Sequence, residues 1–207
     1  MIDFLPLHLI DLGPVELQWI AFSALLFFAG YASSRLVWDK EIDILMKYPK
    51  LVWGWVKRNI APDDPWIKLF VFLFAFNTLS LLVNSISGLL VFVPFLFAFL
   101  LGLHLGIISI EETGKPSIGL MVLNPVAWLE LPASWISLAI GMQLGFSVID
   151  GTFGYDVFVS FMEVFAYLVI PLLLLAALIE ATLIYVFPSK DDLQEDDGYK
   201  YDIEDVD

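Results

Sequence analysis

Long apolar runs separated by short polar segments recur about five times along this chain. They cover about Val15–Val37, Trp66–Val83, Leu89–Ile110, Leu120–Phe146 and Val157–Phe187, the last with Pro171 inside it. Each is close to or above the roughly 20 residues that an α-helix needs to cross the hydrocarbon core of a bilayer. Strand-like alternation is absent, which argues against a membrane barrel. The pattern predicts an all-α, polytopic helical membrane protein of about five transmembrane helices. Pro125 and Pro132 fall in the first half of the fourth run, each removing a backbone donor, so that span is expected to be kinked or broken. Asn84-Ser85-Ile86-Ser87-Gly88 reads as a tight turn joining the second and third spans as a helical hairpin.

The segment 38–65 is not a span. Ile42, Leu45 and Met46 share a helical face, ringed by Asp39, Lys40, Asp43 and Lys47. Pro49 is expected to break it, after which Val52, Val56 and Ile60 repeat at helical spacing, and Trp53 and Trp55 suit the headgroup layer. One or two short helices lying on the cytoplasmic surface fit this pattern, as does a structured connector. The organisation expected is one transmembrane domain over residues 1–188 and an acidic, disordered tail over 189–207.

Composition agrees: 59% of residues are hydrophobic, mean hydropathy is +0.83, and 16% are charged against about 25% in soluble domains. Half of the net charge of −14 lies in the tail, where nine acids face Lys190 and Lys200. The rest of the charge orients the chain. With the N-terminus outside, Lys40, Lys47, Lys50, Lys57, Arg58, Lys115, Lys190 and Lys200 all fall on the cytoplasmic side, and Arg35 and Lys68 at its edge. No Lys or Arg remains for the outer face, so the expectation is a cell-membrane protein with N-terminus out and C-terminus in. The N-terminus lacks the basic region of a signal peptide. No Cys is present, which removes disulfides, thiolate metal sites and cysteine nucleophiles.

The candidate chemistry lies inside the spans. An acidic side chain near a helix centre costs about 2.5–3.5 kcal/mol, and Glu130 and Glu180 both sit in apolar surroundings. Counting about 1.5 Å per residue from the expected cytoplasmic edges puts Glu130 about 15 Å deep, Glu180 about 10 Å, His104 about 9 Å and Asn77 about 16 Å. A polar cluster of Glu130, Glu180, His104 and Asn77, with Asn124 nearer the surface, is therefore expected in the inner half of the bilayer, facing a polar kink. Its carboxylates act either as inter-helix pegs or as contacts for an ion, a proton or a substrate. Asn77 and Asn84 suit helix–helix hydrogen bonding, and Glu163, Gln143 and Asn84 are expected to form a lesser group in the outer half. Gly102 with Gly106, and Gly141 with Gly145, are spaced to let two helix backbones approach, in this chain or in another copy.

Catalytic patterns are weak. A zinc protease needs an H-E-x-x-H helix, and the only histidines are His8 and His104. Glu111-Glu112 resembles the paired glutamates of intramembrane prenyl-protein proteases, but Thr113-Gly114-Lys115-Pro116 follows without the further Arg and His that such a site needs. No glycine-rich nucleotide loop occurs. No enzyme, cofactor or metal is expected.

The segments Pro125-Val126-Ala127-Trp128-Leu129-Glu130-Leu131-Pro132-Ala133 and Pro171-Leu172-Leu173-Leu174-Leu175-Ala176-Ala177-Leu178-Ile179-Glu180 resemble the stage II sporulation protein M family. The family's Glu-Leu-Pro-Ala motif is followed by two glycines spaced like Gly141 and Gly145, and its later proline-leucine helix ends like Ile179-Glu180. The similarity extends over roughly 66–187, including the span with Asn77 and the segment ending at Gly102. Val126 and Ala127 replace a His-Gly that usually follows the motif's first proline, so a role for that histidine does not carry over. The resemblance implies a multi-pass membrane protein. Its namesake looks like a scaffold for cell-wall-degrading proteins during engulfment, so the role implied is membrane assembly without a reaction of its own. The expected partners are the lipid bilayer, other membrane proteins or a further copy of the chain, and no nucleic acid.

Overall fold

A computed structural model describes residues 12–60 and 64–187 of the 207-residue chain, without the side chains of Lys57 and Leu120. The acidic tail and the extreme N-terminus lie outside the described residues. The helices are α1 (Leu17–Asp39), α2 (Asp43–Asn59), α3 (Trp66–Ile86), α4 (Val93–Thr113), α5 (Ile118–Leu123), α6 (Ala127–Ile149), α7 (Tyr155–Val164) and α8 (Ile170–Val186). A 3₁₀ turn, Ser87–Leu90, follows α3, and a π turn, Phe165–Val169, joins α7 to α8. Five helical stretches are long and apolar enough to cross a membrane: α1, α3 with its 3₁₀ turn, α4, α6, and α7 through α8.

α6 is the central post. In its most apolar stretch 67% of residues are buried, against 22–39% in the other spans, so the rest of the bundle wraps around it. One wall of the bundle is α1 packed along α4, and the other is α3 packed on α8. Trp19 of α1, Phe95 of α4 and Phe146 of α6 meet in an aromatic cluster, with Trp19 and Phe146 4.8 Å apart at the ring centroids.

The glycines explain how closely these helices lie. A Cβ at Gly30 of α1 would stand 1.9 Å from the Phe99 carbonyl oxygen of α4, and one at Gly102 would stand 1.8 Å from the Phe27 carbonyl oxygen. A Cβ at Gly106 would instead meet a side chain, the Ser34 hydroxyl, at 2.4 Å. Gly141 lies against the Asn84 carbonyl and Pro94, and Gly145 against Val91 and Gly88. Both expected pairs therefore pack within this chain, Gly102 and Gly106 on α1, Gly141 and Gly145 on the α3–α4 hairpin.

That hairpin is closed by an unusual turn. Val91 has φ 57° and ψ −67°, and the Phe92 N–H donates to the Leu90 carbonyl at 2.7 Å. This is a γ-turn of the rare positive-φ kind, strained for a β-branched residue.

Three expectations from the sequence change. Pro49 lies within one helix, α2, and is buried rather than breaking it. The fourth span starts at Ala127, not Leu120. The break expected around Pro125 falls just before it, at Asn124–Val126, where Asn124 Oδ1 accepts the Val126 N–H at 3.0 Å and turns the chain. Pro132 sits inside α6 near its start, where the helix continues. In the fifth span, Pro171 lacks the N–H that an unbroken α-helix needs, and the π turn precedes it.

Candidate functional site

α3, α6 and α8 meet at three polar side chains. Asn77 Nδ2 of α3 donates to Glu130 Oε1 of α6 at 2.5 Å. Glu180 of α8 lies near enough to Glu130 for the two carboxyl groups to interact electrostatically. One Glu180 oxygen, Oε2, is buried without a hydrogen-bond partner. Among the described residues neither carboxyl forms an ion pair with Lys, Arg or His. The local sequence sets this up. The break at Asn124–Val126 places Glu130 in the first turn of α6, so it lies nearer the start of its helix than the ten residues counted from Leu120. Pro132 removes the N–H that would have bonded the Trp128 carbonyl, and the Trp128 indole donates to the Val122 carbonyl at 2.8 Å, tying α6 back to α5.

Beside this group is a cavity of about 1020 Å³ between α3 and α4. α3 and α4 are joined by the hairpin but pack mainly on different neighbours, and the space opens where they part. Asn77, Asn124, Glu130 and His104 all line it. His104 is not hydrogen-bonded to the carboxyls; it stands on the α4 wall with its ring 5.3 Å from that of Tyr48 in α2. Glu180 is not among the residues that line the cavity. The expected cluster is thus divided: Asn77, Glu130 and Glu180 gather at the helix junction, while His104 and Asn124 line the cavity beside it without bonding to the carboxyls.

α2 spans the two walls of the cavity. Lys50 Nζ pairs with Glu111 of α4 at 2.7 Å and stands 4.5 Å over the Trp38 ring, and Trp53 Nε1 donates to Glu112 of α4 at 2.9 Å. Trp55 instead packs on α3, 5.5 Å from Phe72 and 5.7 Å from Phe76.

The sequence reading missed a second polar contact. Ser137 Oγ of α6 donates to the Leu81 carbonyl of α3 at 2.5 Å, and Ser85 Oγ lies 3.1 Å from Ser137 Oγ, all buried. The expected outer group does not assemble. Gln143 donates to the Pro14 carbonyl at 3.1 Å and accepts the Glu16 N–H at 3.0 Å, which pins the start of α1 to α6, while Glu163 is exposed. Among the described residues no group of three or more His, Cys, Asp or Glu is placed to hold a metal ion.

Comparison with curated proteins and with solved structures finds no match. A family model does match: Stage II sporulation protein M, over residues 19–183. That stretch runs from the first turn of α1 almost to the end of α8 and takes in Asn77, Glu130 and Glu180. The chain is a multi-pass helical membrane protein of the Stage II sporulation protein M family.

Proposed function

We propose that this protein is an integral membrane scaffold or assembly factor with no reaction of its own. One observation carries the reading: the polar and small residues of the spans are spent on holding helices to one another. Gly30, Gly102 and Gly141 bring backbones into contact, and Ser85, Ser137 and Gln143 tie α6 to its neighbours. Such a frame presents fixed surfaces to other membrane proteins or to a second copy of itself. The positive residues support insertion in the cell membrane with the N-terminus outside and α2 on the cytoplasmic side. The acidic charge disfavours nucleic acid.

A second reading is a proton or cation path. It is favoured by Glu130, which lines the cavity and interacts electrostatically with Glu180, and among the described residues neither carboxyl is paired with Lys, Arg or His. Intramembrane carboxyls of this kind are functional candidates by default. Two measurements separate the readings. Affinity purification from native membranes is expected to recover a stoichiometric membrane-protein partner, and purified protein in liposomes is expected to show no ion flux. A robust current from the purified chain, abolished by Glu130→Gln, overturns the scaffold reading.

A further inference from the structure

α3 carries a ladder of polar side chains along one wall of the cavity. Asn77, Ser80 and Asn84 stand at i, i+3 and i+7, on one helical face, and all three line the space. Two of them are engaged: Asn77 donates to Glu130, and Ser80 Oγ donates to the Phe76 carbonyl of its own helix. Asn84 is half-buried. Its backbone carbonyl accepts the Ser87 hydroxyl at 2.6 Å, but its side-chain amide makes no hydrogen bond among the described residues. Opposite, α4 leaves one face open over about three turns, where Phe97, Leu101, His104 and Ile108 line the cavity. Leu79 and Val83, also in the α3 wall, are 62% and 50% exposed, so the cavity reaches the outer surface of the bundle.

Shape and hydrogen-bonding capacity together select an occupant. From Phe97 to Thr113 the α4 wall runs about 24 Å, at ~1.5 Å per residue. A helix of ~10–12 Å diameter, sunk to half its width over that length, fills roughly 900–1,400 Å³. The cavity holds about 1020 Å³. Lipid acyl chains would fill the space but offer nothing to the Asn84 amide, and an unsatisfied polar group in hydrocarbon is costly. A transmembrane helix with a hydroxyl or amide side chain at that height meets it, as Ser and Asn join helices elsewhere in membranes. The chain's own outward faces do not supply such a helix: α1 exposes Phe22, Leu25 and Phe28, and α8 exposes Leu174, Leu175 and Ile179. We propose that the cleft between α3 and α4 is the docking groove for one transmembrane helix of a different protein, apolar overall and carrying Ser, Thr, Asn or Gln opposite Asn84. Such docking presupposes the scaffold reading and gives it a surface and a partner chemistry.

The test uses the full chain in native membranes, with a photo-crosslinking residue at Leu79 in the groove or, as the comparison, at Leu175 on the outward face of α8. At Leu79 it is expected to capture one protein. The adduct should map by mass spectrometry to a membrane-spanning segment with Ser, Thr, Asn or Gln within one helical turn. Asn84→Leu is expected to cut the yield of that adduct about threefold, the size of an average interhelical hydrogen bond in a membrane. Should that variant fold poorly, Leu101→Trp narrows the groove without touching the polar ladder and is expected to abolish the adduct. A lipid or a second copy of the chain captured at Leu79, an adduct outside a membrane-spanning segment, or a yield that neither variant moves overturns the proposal. A partner captured at Leu175 and not at Leu79 overturns the groove and leaves the scaffold reading standing, whereas no protein captured at either position removes both.

Discussion

The Asn77 amide donates to Glu130 across the α3–α6 interface, and this 2.5 Å contact joins the second and fourth spans at the point where α8 brings in Glu180. The bond needs an acceptor on residue 130, not a charge. Glu130→Gln is therefore expected to fold and to keep its thermal midpoint in detergent close to that of the wild type. Glu130→Leu leaves the Asn77 donor buried and unpaired, at a cost of about 1–3 kcal/mol, and is expected to lower the midpoint clearly. Thermal unfolding followed by size-exclusion fluorescence distinguishes the two.

The α1–α4 contact has no room for a single added carbon. With a Cβ at Gly30 or Gly102 falling under 2 Å from a facing carbonyl oxygen, neither helix backbone yields without separating the pair. Gly30→Ala and Gly102→Ala are each expected to cost about 3 kcal/mol or more, above the ordinary range for overpacking, and to reduce the yield of folded protein. Gly54→Ala is the matched control. Nothing lies within 4 Å of a Cβ there, and alanine favours the α2 helix by roughly 0.5–1 kcal/mol.

Val91 is a β-branched residue held at positive φ by the hairpin. Glycine adopts that conformation without the steric cost. Val91→Gly is expected to raise the thermal midpoint, by an amount corresponding to ~1 kcal/mol. A drop in the midpoint would show that the Val91 side chain contributes more by packing than it costs in backbone strain.

The absence of Cys from the natural sequence makes the orientation directly measurable. Thr152, between α6 and α7, and Lys40, between α1 and α2, are both exposed. In intact cells Thr152→Cys is expected to react with a membrane-impermeant maleimide, and Lys40→Cys only after permeabilisation. Labelling of Lys40→Cys in intact cells refutes the proposed orientation.

The number of spans was legible because hydropathy reports burial in lipid or protein alike. The start of α6 was not, because Leu120–Leu123 is as apolar as the helix that follows, and only Asn124-Pro125 marked the turn between them. Residues Asn77, Glu130 and Glu180 stood out in the sequence because polar groups are rare in spans. Ser137 did not stand out: a serine in an apolar helix looks the same whether it bonds its own preceding turn or crosses to Leu81. The partners of Gly102 and Gly141 were equally hidden, since spacing shows that a face is flat without showing what lies on it. His104 and Tyr48 meet only because α2 runs beneath the cavity, a relation between distant segments that no local pattern encodes.

The π turn between α7 and α8 has a consequence for the phase of the fifth span. Each residue of an α-helix turns the chain by about 100°, and a π turn inserts one residue beyond what the regular winding holds. Phe161 and Val164 before the turn, and Leu173 and Ala177 after it, are all buried. Deleting one residue from Phe165–Val169 would rotate the two halves by about 100° against each other. Either Phe161 and Val164 would then leave the core or Glu180 would swing away from Glu130. The fifth span thus behaves as two helices with separate angular settings on one axis, and the inserted residue is the offset that lets the carboxyl of Glu180 point inward.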